Sequence, residues 1–345
     1  MKRFILSFLT IAVACSLLIT SSALAAKDPI RWRVDTFLAA TAGEVKNLQW
    51  FAELVNKRSG GRLKIDVYPG GSLGIPYTGL YRALKKGVIE MALGFPNLQL
   101  GDAPALSLDA RHGIFPNRPL RMSVYKLLDP LRKKILEEDW GVKLLDGFSM
   151  YNIYDGIATN IDGKSWEDFK KKKLRAGSTD FARILEICGA SAITMPLGET
   201  YQALKTGVID GVCTSPRSVV ARSLQEVAKY FIVDCYPGAV TWYCEFYVSK
   251  KHWDKLPADL QQIVQECATE AANKGNCEAT DPRTEKVYLD KMRKSGMTIR
   301  FFPVEDQERY YRAAIQGLWE SVEGKKDKRI LEILEVMKPY LPRPK

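Results

Sequence analysis

Few residues in this 345-residue chain have the type and spacing that covalent or metal chemistry requires. The only histidines are His112, in Ala110-Arg-His-Gly, and His252, in Lys250-Lys-His-Trp. No HExxH or CxxC sequence occurs, so a zinc hydrolase or a zinc finger would lack its ligands. A Ser-His-Asp or Cys-His set needs a histidine beside a nucleophile, and neither histidine stands in such a motif. Acid pairs such as Glu137-Glu138 are too generic to support glycoside hydrolysis. The expectation is therefore no enzyme, no metal and no cofactor. What remains is binding chemistry. Arg175 closes the basic run Lys170 to Arg175, where it is either a surface cation or a guanidinium fork that holds an anion through two parallel hydrogen bonds.

The elements that would position such a group begin with a repeat. Residues 81 to 90 read Tyr-Arg-Ala-Leu-Lys-Lys-Gly-Val-Ile-Glu and residues 201 to 210 read Tyr-Gln-Ala-Leu-Lys-Thr-Gly-Val-Ile-Asp, seven identities in ten at a separation of 120. Each copy reads as a helix end, a C-cap Gly and a Val-Ile strand. Each follows a strand and a Pro/Gly turn, Leu63 to Gly71 in the first case and Ala192 to Gly198 in the second. Two similar α/β lobes follow, with a cleft where strand ends face each other. The cleft would be lined by Gly94-Phe95-Pro96-Asn97 from one lobe and Cys213-Thr214-Ser215-Pro216 from the other.

Around the repeat, periodicity predicts a strand at Ile30 to Asp35 and a helix at Gly43 to Lys57. It further predicts a helix at Leu120 to Glu138, strands at Val142 to Asp146, Tyr151 to Ala158 and Leu174 to Ala176, and a helix at Asp180 to Cys188. Beyond these come an aromatic strand at Ala239 to Ser249 and a long helix from Pro257 to Glu278 that could run on through Arg293. A strand at Met297 to Phe302 and helices at Glu305 to Glu323 and Lys328 to Met337 close the chain.

Composition sets the class. A hydrophobic fraction of 46% with 26% charged residues is that of a folded globule. Residues 1 to 25 carry Lys2-Arg3, an apolar run from Phe4 to Thr20 and a small-residue exit, the layout of a secretory signal. The mature chain would be exported and soluble, with a charge of about +9 in place of +11. The six cysteines beyond that leader permit disulfides, and their spacing leaves pairing open. Basic runs at Lys170 to Lys173, Lys291 to Lys294 and Lys325 to Arg329 have no aromatic platform between them, so nucleic acid is not an expected partner.

Six blocks in order carry a family resemblance. They are Trp50 to Leu63, Val67-Tyr-Pro-Gly-Gly-Ser-Leu-Gly, Gly87-Val-Ile-Glu-Met, Lys173-Leu-Arg-Ala-Gly-Ser, Met195 to Gly211, and Val248-Ser-Lys-Lys-His-Trp-Asp-Lys-Leu-Pro. In these the chain resembles the periplasmic substrate-binding proteins of tripartite ATP-independent periplasmic (TRAP) transporters, over nearly the whole mature length. The resemblance implies a two-lobed α/β fold of the type II periplasmic binding-protein kind, with mixed sheets flanked by helices and a hinge crossed by strands and a long helix. It implies lobe I from 26–152 plus 241–280 and lobe II from 153–240 plus 281–345. It also implies a monomer in the periplasm that captures an organic carboxylate and delivers it to TRAP membrane permease subunits. A periplasmic sensor or adaptor could use the same lobes, and neighbouring genes would discriminate.

The family's carboxylate-binding arginine falls on Arg175. Ser215 stands where the family often places Asn or another polar group, and Phe95 where several members place a polar residue. Phe37 and Trp242 fall at positions that line the family's cleft. Asn97 and Thr214 complete the expected ligand-binding set, and the aromatic members would serve equally as core. The second arginine that members for larger or doubly charged acids often carry is replaced by Ile157. Together with Phe95, that departure points to a ligand with one carboxylate and a partly apolar or aromatic body.

Overall fold

The computed structural model describes residues 28–149, 154–240, 242–279 and 281–342. The expected leader and the first residues of the strand expected near Tyr151 lie outside them. β1 (Ile30–Asp35) buries Trp32 and Val34 on one face, the period of two that a half-buried strand requires. In α1 (Gly43–Arg58), Val45, Leu48, Phe51, Ala52 and Val55 form one buried stripe at helical spacing. There follow β2 (Leu63–Tyr68), α2 (Leu80–Lys86), β3 (Met91–Gly94), α3 (Arg118–Trp140) and β4 (Val142–Ser149). The middle of the chain forms β5 (Gly156–Thr159), β6 (Lys173–Ala176), α4 (Thr179–Ile187), β7 (Ser191–Thr194), α5 (Thr200–Lys205), β8 (Gly211–Thr214), α6 (Pro216–Ala221) and β9 (Tyr230–Val233). The rest forms β10 (Tyr243–Ser249), α7 (Lys250–Trp253), α8 (Ala258–Ala279), α9 (Pro282–Lys294), β11 (Thr298–Phe301), α10 (Val304–Val322) and α11 (Lys328–Met337).

The strands form two mixed sheets, β2-β1-β3-β10-β4 and β11-β9-β5-β8-β6-β7, each flanked by helices in a two-lobed α/β architecture. β1 lies parallel to β2 and β3, while β10 runs antiparallel between β3 and β4. In the second sheet β6 is parallel to β7 and β8, and β5 is antiparallel to β8 and β9. The chain leaves the first sheet after β4, returns at β10, and leaves again after α8. No described helix is long and apolar enough to cross a membrane.

The structure corrects the repeat in one respect. Val88-Ile89 and Val208-Ile209, read as strands, are the turns before β3 and β8. Gly87 and Gly207 take left-handed φ of 75° and 73°. The next N–H in each copy closes its helix, Val88 to Ala83 O at 3.0 Å and Val208 to Ala203 O at 2.9 Å. An N–H spent on this helix stop is not available to a ladder, so the valines stay exposed and pairing starts at Met91 and Gly211.

Two other expectations change. The long helix does not run on, because α9 starts afresh at Pro282, which lacks the N–H a continuing helix would use. Asp281 caps it by accepting from Arg283 N at 2.9 Å. The C-terminal α11, expected with the second lobe, packs on α3 beside the first sheet, while α10 packs on α4 of the second. Beneath the first sheet, fully buried Arg132 of α3 donates to Asp109 at 2.6 Å and also pairs with Glu245 of β10. Tyr125 donates to the same Glu245 at 2.9 Å and Tyr247 donates to its other oxygen, so one cation and two phenols partner carboxylates that would be costly if left bare.

Candidate functional site

Arg175 is the third residue of β6, held between β7 and β8 opposite Ile193 and Val212. Its residue exposure is 7%. Nε donates to Met195 O at 3.0 Å and Nη1 to Cys213 O at 3.4 Å. These carbonyls fix the plane of the fork without neutralising it, and no carboxylate among the described residues pairs with it. Burial pulls its pKa below the ordinary arginine value, opposed by Cys213 and by the phenol of Tyr77 from the first lobe. A buried, oriented cation without a counter-ion is chemically able to take an anion.

β8 delivers Thr214 and Ser215 beside it, both buried. The Ser215 hydroxyl is partly committed, since it accepts from Ser218 N at 3.4 Å and caps α6. From the first lobe, the residues after β1 and β3 bring Phe37 and Phe95 together with ring centroids 5.1 Å apart. Phe95 meets Trp242 edge-on at 5.9 Å, just before β10 begins. Asn97 is buried in the turn after Phe95, its Oδ1 without a hydrogen bond. The seven expected residues thus fall into two groups: Arg175, Thr214 and Ser215 on the second sheet, and Phe37, Phe95, Trp242 and Asn97 on the first.

Several neighbours were not legible in the sequence. Tyr77 stacks obliquely on Phe37 at 5.5 Å. Asp35, the last residue of β1, is 4% exposed, and burial holds its pKa up at about 6. His112 is buried, stacked on Phe181 of α4 at 4.5 Å and edge-on to Trp242 at 5.2 Å, with Nδ1 3.6 Å from Asp180. Glu44 of α1 and Arg217 of α6 form an ion pair of 2.6 Å between the lobes, with side-chain exposures of 6% and 21%. Burial opposes the charge of Arg217, but Glu44 outweighs it and the pKa is raised. A polar residue closing an apolar strand was the available signal for Asp35. The other contacts join residues far apart in sequence, and no local pattern marks them.

Among the described residues no three His, Cys, Asp or Glu side chains converge to hold a metal ion. Cys188, Cys213, Cys235, Cys244 and Cys267 are buried free thiols. Burial pushes the Cys188 thiol up to about 12 and also raises the Cys213 thiol well above the ordinary thiol range, which removes their nucleophilicity at neutral pH.

The family model for bacterial extracellular solute-binding protein, family 7 (DctP) matches residues 123–325. A solute-binding protein of Albidiferax ferrireducens is 29% identical over 233 residues, 64% of this chain and 64% of that protein. The C4-dicarboxylate-binding periplasmic protein DctP of Rhodobacter capsulatus is 26% identical over 333 residues, 93% of this chain and 92% of its own. Among solved structures, the Bordetella pertussis extracytoplasmic solute receptor DctP7, which binds pyroglutamic acid, superposes with a TM-score of 0.79 at 20% identity. That match covers 89% of this chain and 99% of the other.

Proposed function

The chain belongs to bacterial extracellular solute-binding protein family 7, the non-enzymatic DctP receptors of TRAP transporters, and on that footing we propose that it captures an organic carboxylate between its lobes. Arg175 carries the reading, as a buried guanidinium oriented by two carbonyls and lacking an anionic partner among the described residues. A carboxylate on Arg175 would meet Thr214 and Ser215 on its own lobe and the Phe37, Phe95, Trp242 and Asn97 group on the other. Only the closed arrangement offers both sets, so binding draws the lobes together by population shift.

The ligand we favour has one carboxylate and a partly apolar body. Ile157 lies buried where a second arginine would otherwise stand, and three aromatic rings line the first-lobe side. Relatives span both chemistries, one named for C4-dicarboxylates and one solved with pyroglutamic acid. We place the protein in the periplasm, exported by its first 25 residues, handing its ligand to the TRAP permease. A thermal-shift screen of organic acids followed by calorimetry tests the site. Arg175→Lys keeps the charge but loses the fork, and affinity is expected to fall by roughly tenfold or more. Equal affinity in the variant would remove Arg175 from the site, and tightest binding of a small dicarboxylate would overturn the single-carboxylate preference.

A further inference from the structure

We propose that the recess at the end of β1 receives a nitrogen carrying at least two protons, an ammonium or a primary amide, and that the ligand is therefore a carboxylate bearing such a nitrogen at its other end. This rests on the carboxylate reading of Arg175 and adds the second pole of the molecule. The recess is lined by Asp35, Thr36, Phe37, Tyr77, Phe95 and Gln99, with leucines behind them. Phe37 and Phe95 are two of the expected ligand-lining residues, and from Phe95 a chain of ring contacts runs through Trp242 and His112 to Phe181 of α4, the helix that follows the strand of Arg175. The recess and the arginine therefore face one cleft.

Beside the hydroxyls of Thr36 and Tyr77, the recess holds two buried acceptors that no donor meets. Asp35 is 4% exposed, its carboxylate makes no hydrogen bond among the described residues, and Oδ1 is fully buried. Gln99 Nε2 donates to Tyr77 O at 2.5 Å, which fixes the amide and leaves Oε1 as its acceptor end, also buried and unused. No lysine, arginine or histidine lines the recess. Buried acceptors left unpaired cost free energy that a bound donor recovers. A hydroxyl would satisfy only one of the two, whereas an ammonium or a primary amide has enough protons for both. The rings of Phe37, Tyr77 and Phe95 add faces that attract positive charge, and the Asp35 carboxylate, stripped of water, supplies the counter-charge.

Matched probe pairs test this on the exported chain after any copurifying ligand has been stripped: 4-(aminomethyl)benzoate against 4-methylbenzoate, and 6-aminohexanoate against hexanoate, by thermal shift and calorimetry. The wild type is expected to bind the amino member tighter by roughly tenfold or more. Asp35→Asn should erase that preference, and Arg175→Lys should weaken both members together. Equal binding within the pairs, or a preference that survives Asp35→Asn, overturns the proposal. Should neither member of any pair bind, mass spectrometry of the copurifying molecule decides, because a carboxylate without an ammonium or primary amide overturns the assignment and one that carries such a nitrogen supports it. A copurifying amine without a carboxylate would sink the Arg175 reading and leave the recess assignment standing.

Discussion

Asp234, the residue after β9, is 1% exposed, and burial pushes its pKa up to about 7 from 3.8, outweighing its own backbone N–H and Cys235. An unfolded chain releases that proton near 3.8. Between about pH 4 and about pH 7 the folded state thus holds more protons than the unfolded one, and stability falls as pH rises, then levels off. Asp35 shifts the same way, to about 6. The slope for one such group is about 1.4 kcal/mol per pH unit inside its window. Asp234→Asn should therefore melt at a temperature that declines less than the wild type's across that window, and parallel melting curves would refute the assignment. The same burial that raises these acids lowers Arg175, so at this scale function and cost have one origin, charge held away from water.

At the scale of elements, the two copies of the repeat invite a direct comparison. Both helix stops need a left-handed residue, and alanine there costs about 1 kcal/mol. Their surroundings differ. A Cβ on Gly207 meets nothing within 4 Å, whereas one on Gly87 comes to 3.3 Å from His252 Cε1 and 3.4 Å from Lys251 Cδ. Both alanine variants should lower the urea midpoint, Gly87→Ala by more, and equal midpoints would show that backbone strain alone sets the cost. The fold was largely legible here. Amphipathic stripes such as that of α1, and the alternation in β1, survive because burying one face is a local instruction. The repeat predicted where strands follow helices but placed them three residues early. Its Val-Ile pairs have strand composition, but the N–H of each valine is needed by the preceding helix. The break at Pro282 was likewise written in the sequence, in a residue that cannot donate.

Across the whole molecule, the Glu44–Arg217 pair joins α1 of the first lobe to α6 of the second, and each residue is the second of its helix. Its charges sit largely out of water, so removing one partner leaves the other uncompensated only while the lobes touch. Arg217→Met should therefore weaken ligand binding by roughly tenfold and enlarge the ligand-free protein in small-angle scattering. Exchange of the charges, Glu44→Arg with Arg217→Glu, should restore both. A single variant with unchanged affinity and unchanged scattering would show that the pair is incidental to closure. The return of α11 to α3 ties the end of the chain to the first lobe, so the second lobe is anchored by more than the crossings between the sheets.

The family resemblance alone implied that Arg175 meets a ligand; the sequence by itself determined that two α/β units exist, that a strand follows each repeat helix, and that Arg175 lies on a strand. These follow from periodicity, helix stops and residue chemistry, which act over a few positions. Only the tertiary structure decided which groups line the recess at the end of β1. Asp35, Tyr77 and Gln99 come together because separate turns converge on one strand end. His112 reaches Trp242 and Asp180 from a loop that carries no signal of its own. Such contacts are made across tens to hundreds of residues, where burial and packing select partners. That is why the carboxylate pole of the ligand could be argued from a motif, while its opposite pole could be argued only from orphaned acceptors in a folded recess.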